Sequence, residues 1–122
     1  MRYFITEEER KKLHATCYFE FQKGKEVIDH REYLKKPYKI KCGCWKDDSL
    51  LLHMDIADEI GLYKLVPEFA YYAVTIVDSD VWQKILQNAL RTGGKAAEVI
   101  EELTPWADES ITKYGYFIIC GI

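Results

Sequence analysis

The sequence predicts an α+β domain in which three or more helices pack on one mostly antiparallel sheet. Two observations carry this prediction: helical periodicity in the second half of the chain, and short segments with strand character along its length. The chain has 122 residues, of which 48% are hydrophobic. It therefore has the size of one domain, residues 1–122, and can bury a core without a disulfide or a metal.

The first half of the chain contains one clear helix start. Thr6 and Glu9 have the spacing of a capping box and predict a helix from about residue 7. Residues 17–22 and 50–60 fit either a helix or a strand, with Gly61 as the terminator. Residues 38–45 alternate with Lys39 and Lys41 on one side, which predicts a half-exposed strand.

The second half has stronger signals. Ala70–Val77 is predicted to be a buried strand, and Asp78-Ser79-Asp80 to cap a helix that ends at Thr92-Gly93-Gly94. The inward stripe of that helix is Val81, Trp82, Ile85, Leu86, Ala89 and Leu90. A shorter helix with Leu103 inward follows, and a third helix starts at Thr104-Pro105 and ends at Gly115. Tyr116–Cys120 is predicted to be the last strand, with Cys120 in the core.

Composition excludes several classes of protein. No apolar run approaches the ~20 residues of a membrane span, and the first residues have no signal-peptide core. We therefore expect a cytoplasmic protein that contacts no membrane and keeps its thiols reduced. Residues 1–46 carry 12 Lys/Arg against 7 Asp/Glu, whereas residues 47–122 carry 5 against 13.

Three cysteines and a histidine leave an alternative open. His14 and Cys17 have i, i+3 spacing on a predicted helix, and Cys42 and Cys44 share one side of a predicted strand. Together they supply the ligand types of a Cys3His zinc site, or the thiol of a small enzyme. A single residue between Cys42 and Cys44 is shorter than the usual zinc knuckle, so the sequence favours separate cysteines and no cofactor.

Nucleic-acid binding is the second alternative. Lys35–Lys41 mixes cations with Tyr38, as nucleic-acid surfaces do. A regulator of this kind would use the basic first half of the chain. The pI near 5.6 makes nucleic acid an unlikely partner overall.

The acidic residues around 47–59 give the favoured hypothesis. Asp47, Asp48, Asp55, Asp58 and Glu59 surround an apolar segment and are expected to form a negative, partner-binding patch. Since no catalytic motif stands beside them, we expect a non-catalytic protein-binding module. Its most concrete version is a small cytoplasmic inhibitor, such as a bacterial toxin-neutralising immunity protein, whose partner is a basic toxin or nuclease domain.

Overall fold

Five antiparallel strands with helices packed on one face form the computed structural model, which describes residues 2–24 and 45–121. Along the chain the elements are β1 (Phe4–Thr6), α1 (Glu7–Leu13), β2 (Tyr18–Lys23), β3 (Leu50–His53), α2 (Met54–Ile60), α3 (Leu62–Leu65), β4 (Val74–Asp78), α4 (Ser79–Thr92), α5 (Gly94–Tyr114) and β5 (Tyr116–Cys120). This arrangement confirms the predicted α+β class, with an antiparallel sheet and more than three helices.

The order of the strands across the sheet is β1-β3-β2-β5-β4. The C-terminal strand β5 lies between β2 and β4, where Phe21 faces Ile119 and Thr75 faces Ile119 from the other side. All five residues of β5 are buried. The end of the chain therefore completes the middle of the sheet rather than its edge.

The main core lies between the sheet and the helices. Trp82 of α4 is 1% exposed and its ring meets Phe117 of β5 edge-on at 5.7 Å. Its indole N–H donates to Asp108 of α5 at 2.9 Å, which joins the two long helices. The prediction that Trp82 is a core residue is confirmed. Other fully buried members of this core are Phe19, Phe21, Leu52, Ile85, Val99 and Leu103.

The opposite face of the sheet is buried as well. Ile76, Tyr116, Ile118 and Cys120 form a second apolar cluster there, which confirms the buried position of Cys120. Because both faces exclude water, β5 (Tyr116–Cys120) does not show the alternation of apolar and polar residues that marks a half-exposed strand. Strand β2 keeps that alternation, but its polar residues Glu20 and Gln22 are buried as well.

The predicted start signals of α1 and α4 and the stop signals of α2 and α5 are confirmed. Thr6 and Glu9 form the predicted capping box, and Asp78 accepts from the Val81 N–H at 2.9 Å at the start of α4. Gly61 and Gly115 end α2 and α5 in the left-handed conformation, at φ 67° and 88°. The two undecided segments form a strand at residues 18–23, and a strand followed directly by a helix at residues 50–60. Residues 38–44 of the predicted half-exposed strand lie outside the described residues.

Pro105 does not start a helix, and the prediction of two helices here is wrong. It lies inside the 21-residue α5. Proline has no backbone N–H, so the carbonyl oxygen of Glu101 loses its helical hydrogen bond. Because Glu101 and Pro105 both lie on the exposed side of α5, water can bind that carbonyl oxygen instead. Buried Leu103 and Ala107 continue the same inward face through this point, so packing outweighs the lost hydrogen bond.

Two further predictions are corrected. Leu90 is 80% exposed instead of belonging to the inward stripe, because Ala89, at 3%, takes the buried position one residue earlier. Strand β4 begins at Val74 and not at Ala70, since residues 70–73 form a turn. Among the helices that the structure describes, none has both the length and the apolar composition needed to cross a bilayer.

Candidate protein-binding surface

The structure divides the five predicted carboxylates into two groups. Asp47 and Asp48 lie in the turn before β3, whereas Asp55, Asp58 and Glu59 lie on α2 after it. The Trp106 indole N–H donates to the Asp48 carbonyl oxygen at 3.0 Å, and Lys95 pairs with Glu59 at 2.7 Å. These two contacts lie 11 residues apart on α5, about 16 Å along the helix axis. The expected single patch is therefore two separate groups.

The second group forms one face of a helix, here called the α2 acidic face (Asp55, Asp58 and Glu59). The i, i+3 and i, i+4 spacing places the three side chains next to one another. Side-chain exposure is 82% for Asp55 and 58% for Glu59. Lys95 reduces the charge of Glu59, so Asp55 and Asp58 supply most of the negative field of this face.

His53 caps the start of α2. Its Nδ1 accepts from the Asp55 N–H at 3.0 Å and lies 3.7 Å from Asp55 Oδ2. The Tyr18 ring packs edge-on against the imidazole at 5.1 Å and holds it in place.

Tyr71 lies near Asp58 of the α2 acidic face, Tyr72 packs against Tyr71, and sequence reasoning missed both tyrosines. Tyr72 is 83% exposed, and its ring centroid lies 4.9 Å from that of Tyr71. Burial first, and then the negative charge of nearby Asp58, raise the pKa of the Tyr71 phenol above its ordinary value. Tyr71 also packs edge-on against Phe19 at 5.3 Å, so the exposed ring of Tyr72 is backed by the core. The sequence signal for an aromatic surface was the adjacent pair Tyr71-Tyr72, but the predicted strand Ala70–Val77 placed both residues in the core.

Carboxylates and aromatic rings thus share one surface, here called the α2–tyrosine surface (the α2 acidic face with Tyr71 and Tyr72). Its charges attract cations over a distance, and its rings offer apolar area with polar hydroxyl groups. Tyrosine loses little conformational entropy when it is fixed in an interface. The chemistry of this surface suits non-covalent binding.

The turn group has a different environment. Glu20 of β2, which is 2% exposed, accepts from the N–H groups of Trp45 and Lys46 at 2.8 and 2.7 Å and from the Ser49 hydroxyl at 2.6 Å. Trp45 has a left-handed backbone, with φ 65°, which turns successive N–H groups toward the carboxylate. A buried acid therefore fixes the segment that carries Asp47 and Asp48.

The zinc and thiol candidates are only partly within the described residues. The helix ends at Leu13, and His14 is its left-handed C-cap at φ 51°, so His14 and Cys17 do not share a helical face as predicted. Cys17 is exposed with a free thiol. Cys42 and Cys44 lie outside the described residues, as does the basic Lys35–Lys41 segment. Across residues 2–24 and 45–121 no group of three or more His, Cys, Asp or Glu side chains could hold a metal ion.

Comparison of the chain with protein-family models, with curated proteins and with solved structures finds no match in any of the three.

Proposed function

We propose that this protein is a non-catalytic protein-binding module that recognises a basic partner through its α2–tyrosine surface. In its most concrete form it is a cytoplasmic inhibitor, such as a bacterial immunity protein that covers the basic active site of a toxin or nuclease domain. The observation that carries the proposal is the 83% exposed Tyr72, whose ring packs on Tyr71 near Asp58 of the α2 acidic face.

Charge and apolar contact have separate tasks in this proposal. Asp55 and Asp58 raise the rate of encounter with a positively charged partner, because long-range attraction guides diffusion. Tyr72 then supplies an anchor, since aromatic side chains at the centre of an interface carry much of the binding energy. Backing by Tyr71 and Phe19 means that little ordering of the anchor is required on binding.

The surface is large enough only if neighbouring residues take part. A stable interface buries about 800 Å² on each partner, which corresponds to roughly 20–30 residues. Tyr63 on α3 is 59% exposed and follows α2 directly, so it extends the aromatic area. Asp47 and Asp48 lie too far from α2 to belong to the centre of such an interface, so they would contact the partner only at the rim of the interface.

Affinity purification from the organism that encodes the protein, followed by mass spectrometry, tests the proposal. The wild-type protein should capture a basic protein, and the double variant Asp55→Lys, Asp58→Lys should lose it. The matched control Asp47→Lys, Asp48→Lys makes the same charge change in the turn and should retain most of the capture. The variant Cys42→Ser, Cys44→Ser should behave as wild type.

Other outcomes contradict parts of the proposal. Loss of capture only in the turn variant would move the binding surface away from α2. Loss only in the cysteine variant, or capture of nucleic acid in place of protein, would replace the proposed function by one of the alternatives.

A further inference from the structure

The ring of Tyr72 is an exposed aromatic surface that no cation of the described chain covers. The residue is 83% exposed, and its ring meets that of Tyr71 at an angle of 66° with the centroids 4.9 Å apart. Among residues 2–24 and 45–121, no lysine or arginine lies over the Tyr72 ring. The ring is therefore open to a cation from another molecule.

Other tyrosine rings of this protein do carry a cation. Lys64 Nζ lies 5.6 Å from the centroid of the Tyr63 ring, and Lys113 Nζ lies 5.5 Å from that of Tyr114. A cation over an aromatic face is attracted by the negative potential of the ring. The Tyr72 ring offers the same attraction, together with a greater exposure than that of Tyr63, which is 59% exposed.

Arg10 shows how a guanidinium group can use a ring and a carboxylate at once. Its Cζ lies 3.9 Å from the centroid of the Trp45 ring, while two of its nitrogens donate to the oxygens of Glu7 at 2.6 and 2.7 Å. The planar group lies on the ring and keeps the N–H donors at its edge free for the carboxylate. The ammonium group of lysine is a compact point charge and cannot combine the two contacts in this way.

A carboxylate without a partner lies near the two tyrosines. Burial, followed by the charge of Asp58 and then by Tyr72, raises the pKa of the Tyr71 phenol, so Asp58 and Tyr72 both lie close to Tyr71. In the part of the chain that the structure describes, the exposed Asp58 carboxylate has no ion-pair or hydrogen-bond partner, whereas Glu59 pairs with Lys95. The surface thus has both elements that Arg10 contacts, an aromatic ring and a carboxylate.

Building on the proposed function, we infer that the α2–tyrosine surface binds an arginine side chain of the basic partner, with the guanidinium on the Tyr72 ring and its N–H groups directed to Asp58. The contact repeats between two molecules the arrangement that Arg10 forms within one. It selects the partner by the shape of the guanidinium as well as by charge, so an arginine is preferred to a lysine at this position.

Titration of the full chain with N-acetylarginine amide, followed by NMR at constant ionic strength, tests the inference without the partner. This compound should shift the resonances of Tyr72 and Asp58. The corresponding lysine amide carries the same charge and should bind about two- to fivefold more weakly. The citrulline amide keeps the planar shape without the charge and should leave these resonances unchanged.

Three variants sharpen the test. Tyr72→Leu should weaken binding of the arginine compound about two- to fivefold, and Asp58→Asn should weaken it as well. Tyr63→Leu is the matched control, because the Tyr63 ring is also exposed but already carries Lys64. All three substituted residues are exposed, so the far-UV circular dichroism spectrum should not change.

Equal affinity for the arginine and lysine compounds overturns the inference, and so does an equal loss of affinity in Tyr63→Leu. A wild-type protein that captures a basic protein but does not bind the arginine compound also overturns it, while the proposed function stands. Binding of the arginine compound without capture of any basic protein supports the guanidinium site and contradicts the proposed function.

Discussion

Carboxylates in two regions of the molecule behave in opposite ways. Glu20 is 2% exposed and is enclosed by two backbone N–H groups and a hydroxyl, whereas Asp55 on α2 has an 82% exposed side chain. A buried carboxylate must have its oxygens satisfied by the protein, and so it holds neighbouring segments in place. An exposed carboxylate does not hold neighbouring segments in place, and its charge remains available to attract other molecules. Burial, not residue type, separates an acid that maintains the fold from one that can bind a partner.

Two other acids belong with Glu20. Glu7 is 1% exposed and binds Arg10 through both of its oxygens, at 2.6 and 2.7 Å. Glu102 of α5 accepts from the N–H groups of Tyr3 and Phe4, the latter at 2.6 Å. It thereby ties the start of β1 to the longest helix. We call Glu7, Glu20 and Glu102 the anchoring carboxylates.

Glu20→Gln should produce the largest effect. The amide group would place an N–H₂ where Trp45, Lys46 or Ser49 now donates, leaving at least one buried donor without an acceptor. We expect a loss of about 3 kcal/mol in the free energy of unfolding, measured by urea denaturation. A loss below about 1 kcal/mol would mean that Glu20 does not anchor the segment before β3.

Glu102→Gln should have an intermediate effect. The amide keeps one oxygen for the two N–H groups at the start of β1 but gives up the charge, so we expect a loss of about 1–2 kcal/mol. Hydrogen exchange adds a local measurement, because the amides of Tyr3 and Phe4 should lose protection more than those of β5. Equal changes across the sheet would argue against a local anchor.

Glu9 is partly exposed but also hydrogen-bonded within the fold, and it should make the stability of the protein depend on pH. The hydrogen bond from Arg2, followed by that from the Thr6 backbone, lowers the pKa of Glu9 from 4.5 to about 2. Because the folded-state pKa is the lower one, this group stabilises the fold above pH 4.5, and that contribution disappears as the pH falls through about 2. The free energy of unfolding of wild type relative to Glu9→Gln should therefore be constant above pH 4.5 and shrink between pH 4.5 and 2. Arg2→Met should reduce this pH dependence, and a difference that persists at pH 2 contradicts the assignment.

Asp58→Asn should have the smallest effect on stability. The residue is exposed on α2, so its loss should change the free energy of unfolding by no more than about 0.5 kcal/mol. The same charge is removed as in Glu20→Gln, which makes the two variants a matched pair for urea denaturation. Similar losses in both would remove the distinction between the two regions.

Local signals in the sequence predicted local structure. The Thr6–Glu9 capping box, the Asp78 cap and the terminators Gly61 and Gly115 were all placed correctly, because each depends on residues within one turn of the helix. These contacts form between residues close in sequence, so they can be predicted without the rest of the fold.

Errors arose where distant packing decided the outcome. Pro105 continues α5 because Leu103 and Ala107 bury the same face on both sides of it. Glu20 carries no sequence signal of burial, since its hydrogen-bond partners lie 25 to 29 residues along the chain. The five predicted carboxylates do not lie in one group, because β3 separates Asp47 and Asp48 from the three acidic residues of α2. Tyr72 was missed because strand β4 starts two residues after it, at Val74.

The association rate of the captured partner, measured at several salt concentrations, tests the central claim most directly. Screening shortens the reach of exposed charges from about 10 Å at 0.1 M to about 3 Å at 1 M salt. The wild-type association rate should fall as the salt concentration increases. The double variant Asp55→Asn, Asp58→Asn should associate more slowly at low salt and depend less on salt, while Asp47→Asn, Asp48→Asn should change both quantities only slightly. A wild-type rate that does not depend on salt, or a flattening caused by the turn variant alone, would contradict the central claim.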